Sequence, residues 1–169
     1  MVRMKIYTAI IDEDIESLQN LIDSEGIEMF YRVDNLGNNA AHMACLLNKP
    51  NILLLLHKNG FDLSKPCDLV SYGSPIFYAV QHRHVQLLNL FWELGYDIGK
   101  ACDKYGNTPL YYAKLKKDDL MINTLTEICG RGSVHNVRAS MIQALARGFL
   151  IRTSNKRLSL QPTLKKSET

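Results

Sequence analysis

The chain has 169 residues, 46% of them hydrophobic and 22% charged, a make-up that suits one ordinary domain with a buried core plus a tail. It contains no run of about 18 apolar residues, which excludes a membrane-spanning helix. The opening MVRMKIYTAIIDED turns acidic after a short amphipathic stretch, so no secretion is expected. The net charge of +3 divides unevenly: residues 1–130 carry 12 Lys and Arg against 16 Asp and Glu, whereas residues 131–169 carry 8 against Glu168 alone. A basic arm on a mildly acidic body points the arm toward something acidic: nucleic acid, an anionic membrane, an acidic protein or the body itself.

In chain order, the first 130 residues repeat. NNAAHMA ending at Ala44, GSPIFYA ending at Ala79 and NTPLYYA ending at Ala113 share a small residue at one place, and IYTA ending at Ala9 is a truncated version; the alanines are 35, 35 and 34 residues apart. A glycine follows each alanine after 16 or 17 residues, at Gly26, Gly60, Gly95 and Gly130, and an apolar cluster such as Ile52 to Leu56 precedes it. The pattern predicts a short helix with a small residue where a neighbour approaches, then a second helix ended by a glycine of positive φ. Polar stretches between units, DNLGN at 34–38 and DKYGN at 103–107, suit hairpin turns.

These residues resemble the ankyrin repeat. DKYGNTPLYYA follows that family's Asp-x-x-Gly-x-Thr-Pro-Leu-His-x-Ala pattern except for Tyr111 in the His position. Thr108 is placed to cap a helix and Pro109 to occupy its first turn, where a missing N–H costs nothing. The second unit keeps Asp34, Gly37 and His42 but has Asn39-Ala40 for Thr-Pro; the third keeps Ser74-Pro75, has Phe77 in the His position and moves the turn glycine to Gly73, so its finger is expected to be irregular. The first unit lacks the hairpin, as an N-terminal cap would. The resemblance implies an all-α solenoid of about four helix-pair repeats with short β-hairpin fingers, at about 1–33, 34–67, 68–102 and 103–130. It also implies a protein-binding surface on the finger tips and first helices. Here those positions are Asn35, Leu36, Asn38, Lys104, Tyr105 and Asn107, with Gln81 and His82 in the third unit.

Past Gly130 the period stops. A linker is expected at 131–136, one amphipathic helix at 137–153 and a disordered basic tail at 154–169. Val137, Met141, Ile142, Leu145 and Phe149 form the apolar stripe, with Arg138, Arg147 and Arg152 flanking it. Ile142-Gln143, three residues, Arg147-Gly148, three residues, Arg152 resembles the IQ motif at all five specified positions. That resemblance implies binding of calmodulin or a related EF-hand light chain. Ile142 would fill an apolar pocket, Gln143 would hydrogen-bond partner backbone, and Arg147 and Arg152 would pair with acidic side chains. Gly148, at a helix cost of about 1 kcal/mol relative to Ala, would admit close approach, and Phe149 would be a second anchor. The other reading of the same stripe is a final capping helix on the fourth unit.

No convergent set of nucleophile, base and metal ligands stands out, so an enzyme is not expected, nor a cofactor, nor calcium held by an EF-hand loop of the chain's own. The histidines have structural readings: His42 lies in the ankyrin capping position and His84 just before a second helix. The four cysteines, Cys45, Cys67, Cys102 and Cys129, are far apart and are expected to be reduced. The arm lacks the aromatic platform of a nucleic-acid binder. The sequence thus predicts a cytoplasmic, non-enzymatic adaptor. A structural subunit of a cytoskeletal or ciliary assembly and an ankyrin-type inhibitor of a signalling or transcription factor are the alternatives.

Overall fold

The computed structural model describes residues 2–31, 33–66 and 73–130. The expected linker, the IQ helix with Ile142, Gln143, Arg147, Gly148, Phe149 and Arg152, and the basic tail lie outside these residues. So do Cys67 and most of the third finger.

Eight α-helices in four antiparallel pairs make up the described residues: α1 (Val2–Ile11) with α2 (Ile15–Glu25), α3 (Ala40–Leu46) with α4 (Pro50–Lys58), α5 (Pro75–Gln81) with α6 (Val85–Glu93), and α7 (Pro109–Leu115) with α8 (Asp119–Gly130). Short 3-10 turns at Ile27–Tyr31 and Ile98–Lys100 lead from one pair toward the next. First helices pack in one layer, α1 on α3, α3 on α5 and α5 on α7; second helices form the other, α2 on α4, α4 on α6 and α6 on α8. The result is the all-α solenoid read from the repeat. The periodic alanines explain the close first layer, for Ala9, Ala44, Ala79 and Ala113 are all buried where adjoining helices meet.

Side chains near helix starts set the boundaries. Asn39 accepts from the His42 N–H at 3.0 Å, and the Asn39 N–H donates back to His42 Nδ1 at 3.3 Å, a reciprocal cap. Ser74 and Thr108 cap α5 and α7, each followed by proline in the first turn. Second helices end where the glycines predict: Gly26, Gly60 and Gly95 have φ of 83°, 82° and 90°. Beyond two of them an aromatic tucks back, the N–H of Phe61 reaching Leu56 O at 3.0 Å and that of Tyr96 reaching Phe91 O at 2.9 Å.

Gly130 departs from the expectation. It is the last residue of α8 and keeps out of the left-handed region. The residues after Gly60 and Gly95 supply aromatic anchors, whereas Arg131-Gly132-Ser133 follows Gly130 and offers no apolar side chain to pull the backbone round.

The fingers also differ from the β-hairpins expected. Among the described residues there is no strand. The two described fingers are tight turns, each closed by one carboxylate, with Val33 N–H to Asn38 O at 2.7 Å in the second unit and Asp103 N–H to Asn107 O at 3.0 Å in the fourth.

Candidate interaction surface

Asp34 and Asp103 organise their fingers alike. The Asp34 carboxylate accepts from the N–H groups of Leu36 and Asn38 at 2.9 and 2.8 Å and from the Asn38 amide at 2.7 Å. Asp103 accepts from the N–H groups of Tyr105 and Asn107, both at 2.8 Å, from the Asn107 amide at 3.0 Å and from Tyr112 Oη at 2.6 Å. Burial opposes ionisation of Asp103, but these donors outweigh it and bring its pKa down to about 2. An ionised carboxylate therefore fixes the turn, and the two residues after it project.

Those residues are Asn35 and Leu36 in one finger and Lys104 and Tyr105 in the other, all exposed. Leu36 is 66% and Tyr105 71% accessible, far more than apolar side chains of this size usually show. Lys104 Nζ lies 5.1 Å from the Tyr105 ring centroid, so the fourth finger joins a cation to an aromatic face. At roughly 8–10 Å per packed helix layer, the two fingertips stand about 16–20 Å apart.

Asn38 and Asn107 belong to the same loops but not to the outward surface. Asn38 is buried, its amide held by Asp34 and its Oδ1 accepting from Tyr78 Oη at 3.1 Å. Asn107 is partly covered and turned onto Asp103. The amide side chain closes the turn, a role that its place in the Asp-x-x-Gly-Asn pattern leaves indistinguishable from display.

Gln81 and His82 do not join the fingers. They sit at the far end of α5, about 10 Å away at 1.5 Å per residue. Gln81 is half-buried; His82 is exposed and stacked on His84, with ring centroids 5.8 Å apart. Partial burial, then His84 and Lys116, lower the His82 pKa.

Sequence reading missed a second recurrent feature. In every unit the fourth residue after the alanine is left-handed: Glu13, Asn48, Arg83 and Lys117, with φ of 55°, 53°, 60° and 54°. Two of them tie neighbouring units together. Glu13 pairs with Lys49 at 3.0 Å, and Arg83 with Asp118 at 2.8 Å. Comparing the charged residues at this place in successive units was the available signal.

It also missed the exposed outer face of the fourth pair, the last pair among the described residues. Tyr111 and Leu115, one helical turn apart on α7, are 49% and 65% accessible. Their counterparts on inner units face a neighbour: His42 and Phe77 are buried, and Leu46 and Gln81 are half-buried.

Among the described residues, no group of three or more His, Cys, Asp or Glu is arranged to hold a metal ion, and no helix is long and apolar enough to cross a membrane. Cys45 is free and buried, with its thiol pKa raised by burial; Cys102 and Cys129 are free and exposed.

Known proteins share this arrangement. The family described as ankyrin repeats (3 copies) matches residues 42–137. Ankyrin repeat and SOCS box protein 6 of Pongo abelii is 31% identical over 90 residues, covering 53% of this chain and 21% of that protein. The chain thus spans about a fifth of the length of that relative. With its four stacked helix pairs, capped first helices and carboxylate-closed fingers, the chain belongs to the ankyrin-repeat family, whose members are protein–protein interaction modules.

Proposed function

We propose that the chain is a non-enzymatic adaptor that binds a target protein on its ankyrin surface and calmodulin or a related EF-hand light chain on residues 137–153. The observation that carries the second half is the complete Ile142-Gln143, Arg147-Gly148, Arg152 spacing, with Phe149 as a further apolar anchor, on a segment rich in arginine. The exposed fingertips, Asn35-Leu36 and Lys104-Tyr105, support the first half. Each offers an apolar side chain on a turn held by several hydrogen bonds to one aspartate, so little conformational entropy is lost when a partner covers it. This reading puts the protein in the cytoplasm, in a cytoskeletal or ciliary setting where EF-hand partners act as light chains.

Titrating calmodulin into the full-length chain, once with calcium and once with chelator, tests it. Binding is expected in chelator, because the second half of the motif, Arg147-Gly148 to Arg152, is intact. Ile142→Asp removes the binding and Lys165→Ala leaves it within about twofold, since an apolar anchor outweighs one solvated charge. No micromolar binding under either condition overturns the EF-hand assignment and leaves the ankyrin one standing.

A further inference from the structure

The end of the solenoid after α8 is an incomplete interface. Tyr111 occupies the position that His42 and Phe77 hold in inner units. There, His42 Nε2 reaches Gly73 O of the next unit at 2.8 Å, and the Phe77 ring packs edge-on against Tyr112, with centroids 5.6 Å apart. Ile122 on α8 corresponds to Leu18, Leu53 and Leu88, all fully buried against their neighbours, yet it is only partly covered. Leu115 completes an apolar strip across α7 and α8, with Asp119 one turn before Ile122 on the same side of α8. The strip has the character of a buried layer left without its cover.

We propose that residues 137–149 of this chain cover that strip as a fifth layer. Three observations select this occupant. The first is apolar content: Val137, Met141, Ile142, Leu145 and Phe149 fall at spacings that make one apolar stripe of a size to match the strip. The second is reach. α8 has 12 residues, about 18 Å, and the six residues 131–136 extend to about 20 Å, enough to turn back antiparallel to α8. The third is charge. α8 places Asp119 beside the strip and carries no Lys or Arg, whereas 131–152 carries arginines at 131, 138, 147 and 152 and no acid. Lys114, Lys116 and Lys117 crowd the other end of the face, beyond Leu115, and favour seating the arm along α8.

The seat has a regulatory consequence that rests on the EF-hand assignment proposed above. Ile142 and Phe149 serve the fifth layer and the EF-hand partner alike, so the two states exclude each other. An arm undocked in about one chain in ten binds its partner about tenfold more weakly than a free arm.

Hydrogen exchange by mass spectrometry on the full-length chain decides the matter. Amides of 137–149 are expected to exchange more slowly than those of 156–169, and to lose that protection in Leu115→Glu and in Tyr111→Glu/Leu115→Glu. Both sites are exposed in the described fold, so these chains keep the inner units, checked by unchanged protection of 76–91. Reciprocally, Leu145→Glu in the arm should speed exchange at 110–122. Calmodulin, the probe for competition, should bind Leu115→Glu about tenfold more tightly than the unaltered chain. Arm amides exchanging as fast as the tail, or protection indifferent to Leu115→Glu, overturns the fifth layer. Protection at 110–122 that fades on dilution overturns it too, assigning the cover to a second copy. If calmodulin binds neither chain while the exchange pattern holds, the EF-hand assignment fails and the fifth layer stands.

Discussion

His42 shows how much one side chain holds. Its Nδ1 accepts from the Asn39 N–H, which leaves Nε2 to donate to Gly73 O, so the neutral tautomer bridges two units. Burial lowers its pKa to about 4, against the smaller raising effects of Gly73 and Asp34. Because the folded pKa lies below the unfolded value near 6.5, its contribution is full above about pH 6.5 and is lost as pH falls toward 4. Urea denaturation should show about 2 kcal/mol less stability at pH 5 than at pH 7 from this group, a difference that shrinks in His42→Gln. Asp103, with its pKa near 2, does not add to the loss in that window. The left-handed turn residues give another test. Lys117 sits at φ 54° without glycine's freedom, so Lys117→Gly should raise stability by about 0.5 kcal/mol in the same assay, part of the left-handed penalty being offset by chain entropy. Arg83→Gly should gain less, since it also removes the pair with Asp118. The histidine was legible from its place in the repeat. The left-handed residues were not, because Glu, Arg and Lys carry no signature of positive φ.

Elements were legible where backbone chemistry is local. Thr108-Pro109, Ser74-Pro75 and Asn39 mark helix starts through hydrogen bonds made within three residues, and three of the four glycines mark helix ends. Gly130 misled because a glycine permits the left-handed turn without compelling it; after Gly60 and Gly95 the turn is held by the Phe61 and Tyr96 N–H groups reaching back to Leu56 O and Phe91 O. Asn38 misled for a related reason, since a turn amide looks the same whether it faces water or its own aspartate. The layered packing predicts a graded series of core truncations. Leu53→Ala and Leu88→Ala should each cost about 2–5 kcal/mol, because both sites are fully buried between second helices. Ile122→Ala should cost less than either if the end face stays bare. A full-sized loss there in the complete chain, absent from one ending at residue 133, would mark Ile122 as covered by the arm.

For the whole molecule, stability is a sum over neighbours, since each pair touches only the pairs beside it. Leu125→Ala, buried in α8, should therefore raise exchange in 109–130 strongly, in 75–93 modestly and in 2–25 hardly at all, as read by mass spectrometry. Uniform acceleration would mean that the solenoid unfolds as one block. The overall architecture was legible because periodicity is a property of sequence alone. The function was legible only as far as motifs carry it: the repeat marks a protein–protein interaction module, the arm's spacing supports the EF-hand reading proposed above, and the exposed Leu36 and Tyr105 point to no particular class of partner.

The strip of Tyr111, Leu115 and Ile122, which repeats the register of an inner layer, also makes the protein extensible. A face that keeps the register of an inner layer can accept another copy of the same module, so a duplicate of residues 74–107 inserted between Asn107 and Thr108 should yield a longer rod with the same packing. An added unit would leave the same strip at its new end, so the chemistry of each existing link would be undisturbed.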